Sequence, residues 1–335
     1  MSMLSRRRFL GSTIVAGTAA FLGTSGSAHA EPPPETGTVR FARLFDSTCE
    51  AAKNVAADLL RAEGFTDVRY VDGEPGVDTG VLLARGDLDF DFNFPPTHIT
   101  SIDAGMPIKV LTGMHSGCLE LIANDTIHGV ADLKGKKFGI DKWSGHPHVL
   151  VTIMAANVGL DPVHDIQWVE GGDVTPMQLF IDGKMDAFLG TAPEPQQMRA
   201  RKMGRSIVNT SLDRPWSQYY CCMLATRVDY LDRYPVATKR VMRALLKAAD
   251  LCVSNPQWAA REVVDRGFAS DYELVLGTLS EARYDRWREY DPEDTLRFFA
   301  LRMREAGFIK SNPHAIIAAG TDWRFLSELK RELKG

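Results

Sequence analysis

Between residues 36 and 224 the chain alternates short apolar runs of strand period with amphipathic stretches of helical period; past about residue 230 only the helical period remains. "VRFARLF" (39–45) reads as a strand. The following stretch, "DSTCEAAKNVAADLLRAEG", reads as one helix: Asp46, Ser47 and Thr48 offer N-caps, Ala52, Val55, Ala56, Leu59 and Leu60 form the apolar stripe, and Gly64 stops it. "DVRYV" predicts a second strand and "DTGVLLARG" a short helix ended by Gly86. "LDFDFNF" alternates with Leu88, Phe90, Phe92 and Phe94 on one face. "PPTHITSIDAG" starts a helix on two prolines, and "IKVLTGM" closes the half as a strand.

From Asp132 the same order returns. "KKFGID" is a strand, "KWSGHPH" a loop, "VLVTIMAANVG" a helix, "DIQWVEG" a strand, "TPMQLFIDG" a short helix, "MDAFLG" a strand, and "TAPEPQQMRARKMG" a loop and helix. One small motif marks the repeat: Gly86 and Asp89 before an apolar run and the Pro95 loop, then Gly183 and Asp186 before another and the Pro193 loop, 97 residues on. Strands alternating with helices imply two α/β lobes, each a mostly parallel sheet flanked by helices. The last third is a helical extension: Pro235 opens one helix, Gly267 ends another, and Asp291, Pro292 and Gly307 cap and close a third.

Ahead of this pattern, residues 1–30 read as an export signal. Arginines in "SRRRFLG" precede the short run "IVAGTAAFLG", and "AHA" supplies small residues before Glu31. The Ser-Arg-Arg-x-Phe-Leu core resembles a twin-arginine signal. The run is too short and too rich in Gly, Ser and Thr to span roughly 30 Å of hydrocarbon as an anchor. A periplasmic location is therefore expected.

With 39 basic and 43 acidic side chains, the charge excludes nucleic acid or an anionic membrane as the main partner, and loss of the leader makes the balance more acidic. Five cysteines, Cys49, Cys118, Cys221, Cys222 and Cys252, form neither a disulfide framework nor a metal-ligand spacing, and read as small buried apolar residues, with a redox role as the alternative.

Open α/β sheets bind ligands beyond the carboxyl ends of their strands. With two lobes face to face, the loops at 45–48, 93–98, 114–117, 143–148, 171–175 and 191–195 would line one cleft. In "WSGHPH", Ser144, Gly145 and His146 stand where a helix begins. A hydroxyl, free N–H groups and an imidazole there suit a carboxylate or sulfonate, and equally suit a capping serine with a solvated histidine. His146 and His148 also invite a metal reading completed by His98, His115 or Glu194, but His-x-His across a proline supplies only two ligands, and no metal is assigned. Phe45, Trp143, Tyr219 and Tyr220 can pack on a ligand or serve as core and hinge. Asp46 and Asp173 suit an ammonium or amide, or cap the helices that follow. Asn93 and Thr97 flank the Pro-Pro turn. The candidate ligand-binding set is Phe45, Asp46, Ser47, Asn93, Thr97, His115, Ser144, Gly145, His146, His148, Asp173, Thr191, Glu194 and Tyr219. Phosphate-loop, nucleophile-elbow, H-E-x-x-H and dinucleotide motifs are missing, so a binding protein without a cofactor is favoured over an enzyme.

Three stretches, "GDLDFDFNFPPTHITSIDAGMPIKVLTGMHSGCLELIA", "VADLKGKKFGIDKWSGHPH" and "LFIDGKMDAFLG", resemble substrate-binding proteins of ABC importers, of the nitrate/sulfonate/taurine type; pyrimidine-precursor binding proteins of thiamine pathways share the domain. The resemblance implies a two-lobed, type II periplasmic-binding-protein-like fold that closes on its ligand. It divides the chain into a first lobe of 36–118 plus 225–335 and a second of 119–224, with hinges at "GCLELIA" and "YYCCMLA". It implies a monomer that carries a small organic or anionic solute, of the sulfonate, nitrate, taurine or pyrimidine-like class, to a permease in the inner membrane. Arginines suited to clamping a sulfonate are not evident in the cleft loops: Arg43 falls in a strand, Arg199 and Arg201 in a helix. The alternatives are a thiamine-pyrimidine-type enzyme, which carries a denser cysteine motif, and a ligand-sensing module for a membrane receptor.

Overall fold

The computed structural model describes residues 31–74 and 77–334; the leader and the export signal read in it lie outside the described residues. Ten strands form two five-stranded sheets. They are β1 (Thr38–Arg43), β2 (Asp67–Asp72), β3 (Phe90–Asn93), β4 (Ile108–Ser116), β5 (Leu119–Ala123), β6 (Lys137–Ile140), β7 (Gln167–Glu170), β8 (Ala187–Thr191), β9 (Arg205–Asn209) and β10 (Tyr220–Arg227). The first sheet runs β2-β1-β3-β10-β4 and the second β7-β6-β8-β5-β9. In each, three parallel strands are followed by an antiparallel one, β10 in the first and β5 in the second.

The helices within the two halves are α1 (Ala51–Val55), α2 (Ala57–Ala62), α3 (Thr79–Arg85), α4 (Pro95–Asp103), α5 (His146–Asn157), α6 (Pro176–Ile181) and α7 (Glu194–Arg201). Then come α8 (Val228–Arg233), α9 (Pro235–Ser254), α10 (Pro256–Asp265), α11 (Tyr272–Glu281), α12 (Pro292–Glu305), α13 (Pro313–Gly320) and α14 (Arg324–Glu332). The single helix expected over 46–64 is split into α1 and α2 behind a tight turn at Thr48–Glu50, because Ala56 N–H bonds the Lys53 carbonyl (3.3 Å) rather than one residue further back.

The repeated Gly-x-x-Asp motif has a physical cause. Gly86 (φ 89°) and Gly183 (φ 70°) end α3 and α6 in the left-handed conformation. Three residues later, Asp89 accepts from the Arg40 N–H of β1 (2.9 Å), and Asp186 accepts from the Lys137 N–H of β6 (2.8 Å). Each carboxylate fixes the register of its strand against the neighbouring one.

The chain passes between sheets twice. The first passage is the pair Gly117–Cys118, both at positive φ (81° and 92°), and the second is the segment 210–219. They run side by side: a Cβ on Gly117 would lie 2.0 Å from Ser211 Oγ, and the Thr210 hydroxyl bonds both the N–H and the carbonyl of Leu119. "YYCCMLA", expected as a hinge ending the second lobe at 224, is in its strand part β10, paired with the first sheet along its length; the turning occurs before it. Likewise "LELIA" is β5, wholly within the second sheet. Gly113 on β4 makes room for the incoming strand, since a Cβ there would meet the Tyr220 ring at 2.3 Å. The C-terminal helices pack on both halves: α9 on α1 and α2, α11 on α7, and α12 on α4 and α5.

Candidate functional site

A cavity of about 430 Å³ opens where strands of both sheets end. Leu44 and Ser47 follow β1, and Asn93 and Phe94 stand at the end of β3. Asp141 and Lys142 follow β6, and Thr191 ends β8. Cys49, Glu50, Val77, Asp78, Thr79, Phe92 and Cys222 complete the wall. A larger hollow of about 570 Å³ lies elsewhere, between α5, Trp168 of β7 and the end of α12. Its lining takes Trp143 from the loop after β6 but no residue from the strand ends of the first sheet, whereas the smaller cavity sits at the carboxyl ends of both sheets, where such folds expose backbone donors and helix starts. The smaller cavity is the candidate site.

Of its charged lining residues three are acidic, Glu50, Asp78 and Asp141, and one is basic, Lys142. Asp78 caps α3 by accepting from Gly80 N–H (2.8 Å). The Asn93 amide donates to Thr79 Oγ1 (3.0 Å) and to Asp91 (3.3 Å), and its oxygen accepts from Phe94 N–H (2.8 Å). Burial pushes the Asp91 carboxyl up to about 8, with Asp78 and Glu50 adding like charge. Burial also raises Glu50 against the pull of Lys53, whose ammonium is sequestered on Glu50 and the Ala42 carbonyl (2.8 Å). Glu194, first residue of α7, accepts from Thr191 N–H (2.9 Å), yet burial holds it at about 7. Among the described residues no arginine lines this cavity, and Lys142 is its one basic lining residue.

The two halves touch beside the cavity. The His146 ring, at the start of α5, lies flat on Phe94 with centroids 3.7 Å apart and planes 2° from parallel. Among the described residues neither imidazole nitrogen has a partner, and burial lowers the group to about 3, so it stacks as a neutral ring. On the far side of the halves, Glu281 of α11 receives Arg199 (2.5 Å) and Gln196 (2.9 Å) of α7.

Of the residues singled out from sequence, Ser47, Asn93 and Thr191 line the cavity, and Glu194 adjoins it through Thr191. The others stand elsewhere. Phe45 is 64% exposed. Asp46, at φ 56°, spends its carboxylate on Ser270 N–H (3.1 Å), and its own N–H bonds the Phe268 carbonyl, so it ties two loops together and caps no helix. Thr97 sits half-buried in the first turn of α4. Gly145 is the N-cap residue of α5. Ser144, at φ 58°, gives its backbone N–H to His148 Nδ1 (3.0 Å). His148 is buried among Trp143, Trp168 and Phe308, facing the larger hollow. Asp173 is exposed, and Thr175 rather than Asp173 caps α6. Tyr219 stacks on Phe298 at 4.1 Å. His115 is fully buried on β4.

Sequence reasoning passed over Asp78 and Thr79, although "DTG" was readable as a helix start and β2 is another parallel strand whose carboxyl-end loop belongs to the cleft. It also scattered the cysteines. The structure gathers four of them with His115: Cys118 Sγ is 2.9 Å from Cys221 Sγ, and Cys49, Cys222 and His115 bring their potential ligand atoms within 4.8 Å of one another. Cys252 is buried apart.

The fold is similar to the periplasmic nitrate-binding protein NrtA of Synechocystis PCC 6803 (TM-score 0.78, 16% identity, 90% of both chains covered). It is also similar to the alkanesulfonate-binding protein SsuA of Xanthomonas axonopodis pv. citri, bound to MOPS (TM-score 0.68, 16% identity, 88% of this chain and 99% of that one). The periplasmic aliphatic sulphonate binding protein SsuA of Escherichia coli aligns at TM-score 0.66 and 17% identity, over 84% and 91% of the two chains. These likenesses establish a periplasmic-binding-protein fold. No curated protein matches the sequence. The family model described as NMT1/THI5 like matches residues 61–259, more than half of the chain, and the chain therefore belongs to the NMT1/THI5-like family.

Proposed function

We propose that this protein is the extracytoplasmic solute-binding component of an ABC importer: it captures a small organic solute between its two lobes, closes, and delivers the solute to a permease in the inner membrane. The observation that carries the reading is the cavity of about 430 Å³ walled by strand ends of both sheets, a place where one molecule can hold two halves together. The leader in residues 1–30 supports export by the twin-arginine route, and Gly117–Cys118 with 210–219 are the segments that would flex.

Within that reading the lining favours one ligand class. Nitrate and sulfonate need concentrated positive charge or several free donors, whereas this wall sets Glu50, Asp78 and Asp141 against the single cation Lys142, with Lys53 beside it committed to Glu50. A neutral or cationic molecule rich in N–H donors, such as an aminopyrimidine or an amine, suits these acceptors. Binding in place of chemistry accounts for the groups present: Glu50 is held by Lys53, and Asp78 by the Gly80 N–H.

The test is a thermal-shift panel of sulfonates, nitrate, carboxylates, amines and aminopyrimidines, followed by small-angle scattering with any ligand that stabilises. An amine or aminopyrimidine should raise Tm and shrink the envelope. Stabilisation by sulfonates alone would overturn the ligand class, and a tight ligand that left the envelope of an open apo form unchanged would overturn closure.

A further inference from the structure

We propose that Cys49, His115 and Cys222 form a zinc-binding site in the floor of the interlobe cavity. The three potential ligand atoms already lie within 4.8 Å of one another. A tetrahedral zinc ion holds sulfur at about 2.3 Å and nitrogen at about 2.0 Å, which spaces its ligands by roughly 3.5–3.8 Å. The trio therefore needs a contraction of about an ångström, not a refolding.

A second observation points the same way without reference to the thiols. His115 is fully buried, and among the described residues neither of its ring nitrogens has a partner. An orphaned buried imidazole costs free energy that a metal–nitrogen bond would remove. Its ring is fixed beside Tyr284, with centroids 4.9 Å apart, so its position is set by packing. The two thiols come from different elements: Cys49 from the turn before α1, and Cys222 from β10, where it pairs with His115 across the β10–β4 ladder. Soft sulfur with imidazole selects a thiophilic ion such as zinc over magnesium or calcium.

Cys49 and Cys222 also line the cavity itself. Three protein ligands leave one tetrahedral position open, the arrangement of zinc sites that receive an exogenous donor. Because two of the three ligands line the cavity, a nitrogen or sulfur atom of a solute held there can complete the shell. Only this last use rests on the solute-binding reading; the site stands on the residues alone. Cys118 and Cys221 form a second trio with His115, their own sulfurs 2.9 Å apart, and in this assignment they act as outer partners of the first. On binding, each of the two thiols releases its proton to solvent and the imidazole binds through a neutral nitrogen.

The experiment uses the full mature chain, purified anaerobically with a non-thiol reductant, with zinc as the probe and no solute added. Wild type should retain one equivalent of zinc after desalting and show thiolate-to-cobalt charge-transfer absorption when cobalt replaces zinc. The double variant Cys49→Ser/Cys222→Ser should lose affinity by more than the roughly 10–100-fold that loss of an outer partner costs, while Cys118→Ser/Cys221→Ser should stay within that range. Because a double variant can fail to fold, zinc protection of Cys49 and Cys222 against alkylation in wild type, mapped by peptide mass, gives a readout that needs no mutation. Failure of wild type to retain zinc, equal losses in both double variants, or alkylation of Cys49 and Cys222 unaffected by zinc would each overturn the site. None of these results depends on whether the cavity carries a solute.

Discussion

Replacing Lys53 by Met should be one of the most damaging single changes in this protein. The Lys53 and Glu50 side chains keep only 2% and 6% of their exposure, and their ion pair sits at the cavity wall. Lys53 also donates to the Ala42 carbonyl (2.8 Å) at the end of β1. Methionine fills a similar volume but leaves Glu50 as a buried charge without its partner, which costs about 3–5 kcal/mol. Glu50 already titrates above the ordinary carboxylate range because burial outweighs Lys53. A group with a raised folded-state value adds stability below its unfolded value and loses it as pH climbs through the folded one. The penalty of Lys53→Met should therefore be largest at high pH and shrink as the pH falls and Glu50 takes up its proton. Urea unfolding at pH 5.0 and 7.5, followed by tryptophan fluorescence, measures this directly. Adding Glu50→Gln to Lys53→Met should recover more than half of the loss at pH 7.5 by removing the stranded charge. A cost below about 1 kcal/mol, or a double variant as weak as the single one, would refute the account.

Three other outcomes are expected. His146, held near 3 by burial, is neutral when folded, so stability should be full above about pH 6.5 and its share should fall by about 1.4 kcal/mol per pH unit below it; burial lowers His98 and His148 too, which act in the same direction, and His146→Gln should flatten its own part in acid-unfolding curves. Asp46→Ala should cost about 1–2 kcal/mol, through loss of the Ser270 bond and the left-handed backbone, while leaving the affinity of any ligand found in the thermal-shift panel unchanged within about twofold in calorimetry. Gly113→Ala should lower stability by about 1–3 kcal/mol in urea titrations, because its methyl would collide with the Tyr220 ring at 2.3 Å.

The two-fold plan of the chain was legible because strand and helix periods recur in one order and because Gly86 and Gly183 punctuate it at matching places. The carboxyl-end rule then located Ser47, Asn93 and Thr191. What stayed hidden depended on burial and pairing. Glu50 and Lys53 stand three apart, a spacing that usually marks a solvated helix face, and nothing local shows that both are covered. Asp46 looked like a cap or a ligand, yet its carboxylate answers a backbone N–H 224 residues away. The cysteine cluster needs β10 to lie beside β4, a neighbourhood that the linear spacing of Cys118 and Cys221 does not announce.

The placement of β10 has a consequence for how the molecule assembles. All five strands of the second sheet fall within residues 119–209, so that sheet can form as soon as this stretch leaves the ribosome. The first sheet cannot: β3 and β4, close in sequence, meet only through a strand made more than a hundred residues later. Until then β3 and β4 each present an unpaired edge, and closing so long a loop makes this the slow step. The half begun first during synthesis is thus completed last, and a chain cut before residue 220 should leave the ribosome with one sheet formed and the other open to aggregation.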